Sequence, residues 1–289
     1  MSATVYIIRH AEAEGNIYRR CHGLYDSLLT PRAYQQLPCL AKRFESVPLA
    51  AVYASPLFRA RTTAQAVAAP HGLTVELRNA LHEIDMGDWE DLPWAELPHG
   101  WPDQYAKWCA RPWEAAPPHG ETVMQAGARM LNEVRRLAQE NDGKAIAVVT
   151  HGSAIRGALT IAHGFPPEKM NEIGWGDNTC VARLDFADDD SIDVVYENDA
   201  SHLPQELSTF ACIGWKNAKG IPVSPQIWFR RADPNNPQDV DKIVEFMREL
   251  HRNAYGTDEG LDPAALLRDV ERAQQVSPRS CTFGLLEDG

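Results

Sequence analysis

The amino-acid sequence predicts an α/β fold, a three-layer sandwich around a mainly parallel central sheet, followed by a small partial α+β C-terminal segment. Two continuous apolar runs, Val5-Tyr6-Ile7-Ile8 and Ala145-Ile146-Ala147-Val148-Val149, have the pattern of strands covered on both faces. Segments of helical spacing with capping signals lie between them, which is the alternation of a layered α/β domain. With 44% hydrophobic and 24% charged residues over 289 positions, the chain has the composition of a globular protein with a sizeable core.

The elements follow in order. The first strand runs into Arg9-His10. Thr30-Pro31 sets a capping hydroxyl before a proline suited to the first helical position and predicts a helix to about Phe44. After a strand near Ala51 to Ala54, Ser55-Pro56 repeats the signal and predicts a helix to about Ala69. From Glu121 to Glu140, the residues Val123, Ala126, Met130, Val134 and Leu137 recur at helical spacing, and Asn141-Asp142-Gly143 is a stop. The second apolar strand runs into Thr150-His151. Val181 to Phe186 and Ile192 to Tyr196, joined by residues 187–191, predict a closing hairpin.

A first domain is therefore expected over residues 1–205 and a linker over 206–225, where Lys216 to Pro225 is rich in Gly, Pro and Lys. Residues 226–289 are expected to hold a strand at Ile227 to Arg230, helices from about Gln238 to Arg252 and from Asp262 to about Gln275, and a strand from Cys281 to Leu286. Glu287-Asp288-Gly289 reads as a hairpin turn, and so short a piece is a poor independent domain, which predicts a segment cut inside a larger module.

The net charge of −12 disfavours broad nucleic-acid or anionic-membrane binding, because such surfaces need excess Lys and Arg. The charge is uneven. Residues 1–61 hold eight Lys or Arg against four Asp or Glu, so an anionic small ligand is expected there. The most apolar stretch, Ala145 to Phe165, is broken by His151, Arg156 and His163, and no basic-then-apolar leader opens the chain. A cytoplasmic protein is expected, with no membrane partner. Cys21, Cys39, Cys109, Cys180, Cys212 and Cys281 are scattered without a C-x-x-C pair, which predicts reduced thiols and no metal site. Nothing in the sequence bears on oligomeric state.

Four strings carry chemistry. Arg9-His10-Ala11-Glu12 sits where a strand ends, the edge at which ligands bind in open α/β sheets. Arg59 falls in the first turn of a helix that also starts at a strand end, where free N–H groups and a two-pronged guanidinium suit phosphate oxygens. Leu81-His82-Glu83-Ile84 offers a carboxylate in an apolar context. Thr150-His151-Gly152 repeats the strand-then-histidine arrangement. Each string alone is more often structural or a solvated charge; together they converge on one edge of the sheet.

These strings, with Asn16, Gly87-x-Trp89-Glu90 and Gly120-Glu121-Thr122, resemble the histidine phosphatase superfamily, also called phosphoglycerate mutase-like, over about residues 4 to 200. Ala11 departs from the commoner glycine, and Ser27 to Ala33 matches the family's Asp-x-Pro-Leu-Thr-x-x-Gly stretch only loosely. The resemblance implies that His10 is the nucleophile, Glu83 the proton donor, and Arg9, Arg59 and His151 the phosphate pocket, with Asn16 helping. It implies a metal-independent, cofactor-free phosphatase acting on a small phosphorylated metabolite. Two guanidiniums and an imidazole can neutralise the equatorial oxygens, flanking arginines keep His10 neutral, and its second ring nitrogen needs an acceptor to hold the tautomer. A mutase of the same chemistry, and a phospho-ligand-sensing module attached to an acetyltransferase, are the alternatives. The second arises because residues 227–289 resemble, weakly, the start of a GNAT-type N-acetyltransferase, although no glycine-rich cofactor loop follows Leu286.

Between Trp89 and Trp113 lie five of the eight tryptophans, interleaved with prolines. This segment reads as a proline-stiffened loop pinned by tryptophans or as a lid over the substrate. Glu121 reads as a helix cap or a family-pattern residue. The remaining histidines, His22 among them, fit no motif and are expected to be structural or solvated.

Overall fold

The computed structural model describes residues 2–189, 191–213, 227–231, 233, 235–255, 257, 262, 265, 268 and 284–288. The chain divides into two compact units, Met1–Pro225 and Gln226–Gly289. In the first, the order is β1 (Thr4–Arg9), α1 (Glu14–Ile17), α2 (Ala33–Phe44), β2 (Leu49–Ala54), α3 (Phe58–Ala68), β3 (Val75–Leu77), α4 (Leu97–Gly100), α5 (Pro102–Ala110), α6 (Val123–Glu140), β4 (Ala145–Thr150), α7 (Gly152–Ala162), β5 (Val181–Phe186), β6 (Ile192–Asp199) and α8 (Thr209–Ile213).

Six strands form one sheet in the order β3-β2-β4-β1-β5-β6. The β1–β4, β2–β4 and β2–β3 ladders are parallel, and the β1–β5 and β5–β6 ladders close the sheet antiparallel. The mainly parallel α/β sandwich read from the sequence is the fold. Alternation along each strand sends neighbouring residues to opposite faces, which explains the continuous apolar runs. Val5, Ile7, Ile146 and Val148 pack with Met130, Val134 and Leu137 of α6 and Leu159 of α7. Ile8, Ala147 and Val149 pack on the other side with Leu40 and Phe44 of α2 and Ala64 and Val67 of α3.

Local chemistry shifts several boundaries. Helix α2 begins at Ala33 because the Thr30 hydroxyl donates to Glu12 Oε1 (2.6 Å) while accepting from the Ala33 N–H (3.2 Å), so Thr30 to Arg32 form a turn. Helix α3 starts at Phe58, whose N–H is capped by Asp26 Oδ1 at 2.7 Å, with Ser55 accepting only from Leu57 (3.3 Å). Thr122 and Gln125 form a reciprocal capping box at the start of α6, and Gly143, at φ +74°, lies in the expected stop. Residues just beyond 205 bond within the first unit: Gln36 Nε2 donates to the Leu207 carbonyl (2.8 Å) and the Ser208 hydroxyl to Asp177 (2.6 Å).

In the second unit, β7 (Ile227–Arg231) precedes α9 (Pro237–Tyr255), and β7 pairs antiparallel with β8 (Gly284–Asp288). Glu287 and Asp288, read as turn residues, instead continue β8 opposite Trp228 and Ile227, because the ladder supplies partners for their backbone groups. The linker stretch Lys216 to Pro225 and most of the helix expected from Asp262 lie outside the described residues. Among the described residues no helix is long and apolar enough to cross a membrane.

Candidate active site

The site forms at the carboxyl edge of the sheet because β1 and β4 are neighbours in register. Arg9 lies opposite Thr150, so the residues that follow, His10 and His151, leave the sheet side by side. Their ring centroids are 5.2 Å apart, and both side chains are buried. His10 Nδ1 lies 2.7 Å from the Ala11 carbonyl. A carbonyl only accepts, so Nδ1 carries the proton and Nε2 the lone pair. The acceptor expected from the chemistry is thus the next residue's own backbone. Burial holds His10 well below the ordinary imidazole range, and the positive fields of Arg59, Arg9 and then His22 push the same way, against the Ala11 hydrogen bond.

Arg59 is fully buried, and its guanidinium is largely committed. Nη1 donates to the Tyr25 carbonyl (2.8 Å) and Nη2 to those of Gly23 (2.7 Å) and His22 (3.1 Å). Only Nε has no partner. The two-pronged phosphate grip expected of Arg59 is therefore corrected, since the loop carbonyls occupy the fork. Burial lowers its pKa to about 10, which leaves it cationic at neutral pH. Glu90 holds the same loop from the other side, accepting from the N–H groups of Gly23, Leu24 and Tyr25. Arg59 and Glu90 thus hold the backbone of the loop at 22–25 from both sides.

Arg9 donates through Nη1 to the Gly176 carbonyl (2.6 Å), and its buried Nε is likewise unpartnered. Both ring nitrogens of His151 are buried without a hydrogen bond. Burial, then Arg59, His10 and other histidines, lower its pKa well below the usual value. Asn16 lies in α1 with Oδ1 accepting from Ala13 N–H (2.9 Å) and Asn178 Nδ2 (3.2 Å), so its amide nitrogen is the end left to donate.

Glu83 differs from its expected apolar setting. Its carboxylate accepts from the N–H groups of Ile84 (2.9 Å), Ala154 (2.9 Å) and Ser153 (3.1 Å), the last two at the open N-terminus of α7. The helix that begins after His151 therefore also positions Glu83. Behind it, Arg129 of α6 donates to the carbonyls of Ala80, His82 and Glu83 and pairs through two bonds with Glu121. Glu121 is a brace for this segment, and Thr122 is the cap.

Two neighbours of His10 escaped sequence reasoning. His22, read as structural or solvated, lies with its ring centroid 5.9 Å from that of His10, carried there by the loop clamped between Arg59 and Glu90. Asn178 donates to the His10 carbonyl (3.0 Å) and to Asn16. Glu12, in the string Arg9-His10-Ala11-Glu12, turns away to Thr30 and Arg32 (2.8 Å) and anchors the loop. Among the described residues, no three His, Cys, Asp or Glu side chains cluster as metal ligands.

A family model for the histidine phosphatase superfamily, branch 1, matches residues 5–199. The chain belongs to this family. As a histidine phosphatase superfamily member it is similar to phosphoserine phosphatase 1 of Hydrogenobacter thermophilus, 28% identical over 58% of this chain and 80% of that one. It is 29% identical to the probable phosphoglycerate mutase GpmB of Yersinia pestis over 63% of this chain and 84% of that one. Among solved structures, YhfR of Bacillus stearothermophilus superposes with a TM-score of 0.66 at 30% identity, covering 69% of this chain and 98% of that one. The family match ends at residue 199, so the acetyltransferase-like resemblance of 227–289 lies outside it.

Proposed function

We propose that this superfamily member is a metal-independent phosphatase that hydrolyses small phosphomonoesters through a phosphohistidine at His10. The observation that carries this reading is the His10 ring, whose Nδ1–H is tied to the Ala11 carbonyl while Nε2 has no partner among the described residues, beside His151 and in the field of Arg9 and Arg59. The phosphoryl oxygens meet the free Nε groups of Arg9 and Arg59, the His151 ring and the Asn16 amide. Nε2 attacks phosphorus, the bond from phosphorus to the leaving oxygen breaks, and protonated Glu83 gives that oxygen its proton. Water then attacks the phosphohistidine, Glu83 takes a proton from it, and the P–N bond breaks to return the electron pair to Nε2 and release inorganic phosphate. We assign this reaction to residues 1–205 and a cytoplasmic setting.

The test is phosphate release from a panel of phosphorylated metabolites in EDTA, with trapping of acid-labile phosphoenzyme. His10→Ala is expected to lose roughly 10⁴-fold or more in turnover. Glu83→Gln is expected to lose roughly 10²–10⁴-fold in kcat with little change in inhibition by inorganic phosphate. Turnover that survives His10→Ala overturns the reading. The similarity to a probable mutase supports a second reading, transfer back to a sugar acid; steady phosphate release without a bisphosphate activator decides for hydrolysis.

A further inference from the structure

A buried cation without a counter-ion lies next to the phosphate site. Arg156, in α7, is 8% exposed. Its Nε donates to the Ile173 carbonyl (3.0 Å) and Nη2 to Asn171 Oδ1 (2.8 Å), both neutral acceptors, and its guanidinium lies 5.0 Å from the centroid of the Trp175 ring. Among the described residues Nη1 makes no hydrogen bond and no carboxylate pairs with Arg156. Burial lowers its pKa only to about 10, so it stays charged at neutral pH. A largely buried charge with no counter-ion is costly, and an anion in the cavity would offset that cost.

The surroundings say what that is. Arg156, Asn171 and Trp175 line a cavity of about 450 Å³ whose other walls include Trp94, Tyr105 and Trp108, with the Trp94 and Trp108 rings 6.5 Å apart. The cavity adjoins the phosphate site. A methyl group on Gly152 would lie 3.4 Å from both Arg9 Nε and Trp175, and a small cleft that Arg9 and Gly152 line shares Arg156 and Gly174 with the cavity. Flat aromatic walls favour a planar group, and the free Nη1 favours an anion.

We propose that this cavity holds the leaving group of the phosphomonoester, and that the group it selects is a planar ring bearing a carboxylate or similar anion, read by Arg156 with Trp175 beneath it. The proposal rests on the phosphatase reading above and narrows its substrate class.

The experiment compares kcat/KM for 4-carboxyphenyl phosphate and 4-carbamoylphenyl phosphate, near-isosteres that differ in charge. The carbamoyl group withdraws electrons more strongly and gives the better leaving group, so intrinsic reactivity opposes the expected order. Wild type is expected to favour the carboxylate by roughly tenfold or more, the worth of one charge-assisted hydrogen bond. In Arg156→Gln that ratio is expected to fall to one or below, whatever the variant's absolute rates. A ratio near or below one in wild type, or a preference that survives Arg156→Gln, overturns the proposal. Because Arg156→Gln removes one buried and one part-buried bond, a second measurement keeps the test whole if it does not fold. Tryptophan fluorescence of wild type is titrated with 4-hydroxybenzoate and 4-hydroxybenzamide; tighter binding of the acid supports the pocket, and equal binding overturns it. His10→Ala separates the two readings, because loss of turnover of both aryl phosphates upholds phosphohistidine chemistry even when the carboxylate preference fails.

Discussion

At the scale of single residues, the site solves one electrostatic problem, keeping a histidine neutral beside two arginines that must stay charged. Burial and the neighbouring cations all disfavour imidazolium, so the free base of His10 persists below the ordinary imidazole range. His22 contributes to this, and its position makes that role measurable. Replacing it with Gln removes one ring that repels a protonated His10, so the His10 pKa is expected to rise toward the usual value. NMR titration of the ring protons in wild type and His22→Gln reads this directly, and an unchanged or lower His10 pKa contradicts it. Arg9, His10, Arg59 and His151 were legible in the sequence because each stands at a strand end or a helix start, where local pattern marks the place, and Glu83 was singled out by its apolar neighbours Leu81 and Ile84. His22 and Asn178 were not, because each lies in an irregular loop and reaches the site only through bonds to residues distant in sequence.

At the scale of elements, α7 organises the site through its two sides. Its N-terminus follows His151 and offers N–H groups to Glu83, while its body crosses α6 at a glycine pair. A methyl on Gly157 would come within 2.3 Å of the Val123 carbonyl and 3.0 Å of Gly127 Cα. Gly157→Ala is therefore expected to cost about 1–3 kcal/mol through overpacking; a denaturation midpoint equal to wild type rejects a close crossing. Arg129, on α6, braces the strip from Ala80 to Glu83 and is itself held by Glu121. Burial raises the Glu121 pKa, but the hydrogen bonds from Arg129 and the Asp85 N–H outweigh it and leave the carboxyl below its usual value. Lysine cannot make this fork, so Arg129→Lys is expected to lower kcat roughly tenfold with KM for the phosphate ester little changed. A matching rise in KM with kcat intact would place Arg129 in binding instead. Strands β1, β2, β4, β5 and β6 and helices α2, α3 and α6 were legible because their periods or end signals are plain, whereas α7 was not, because it continues the apolar stretch that β4 opens. Strand β3 has three residues, too few for a period, and α5 is hidden among prolines, although Pro102 at its start is a helix signal in retrospect.

For the whole molecule, the buried histidines of the first unit are expected to make it less stable as pH falls. Burial lowers the pKa values of His10, His22 and His151 well below 6.5, and that of His202 to about 4. His202 accepts from Arg43 Nη1 at 3.1 Å, and Arg43 also opposes a charged ring, while Asp199 favours it. Each group has a folded pKa below its unfolded value. Above about pH 6.5 both states are neutral and the stability is fully present; as pH falls the unfolded chain takes up protons first, and stability is lost through the folded pKa values. For His202 that window runs from about 6.5 down to about 4. One pKa unit corresponds to about 1.4 kcal/mol, and a kcal/mol moves Tm by about 2–4 °C at this size. Thermal unfolding of wild type is therefore expected to show a Tm that is level above neutrality and declines steadily from pH 6.5 to 4.5, with a shallower decline in His202→Gln. A Tm that rises on acidification across that interval would mean that these imidazoles gain, rather than lose, proton affinity on folding, and would remove the electrostatic basis assigned to His10.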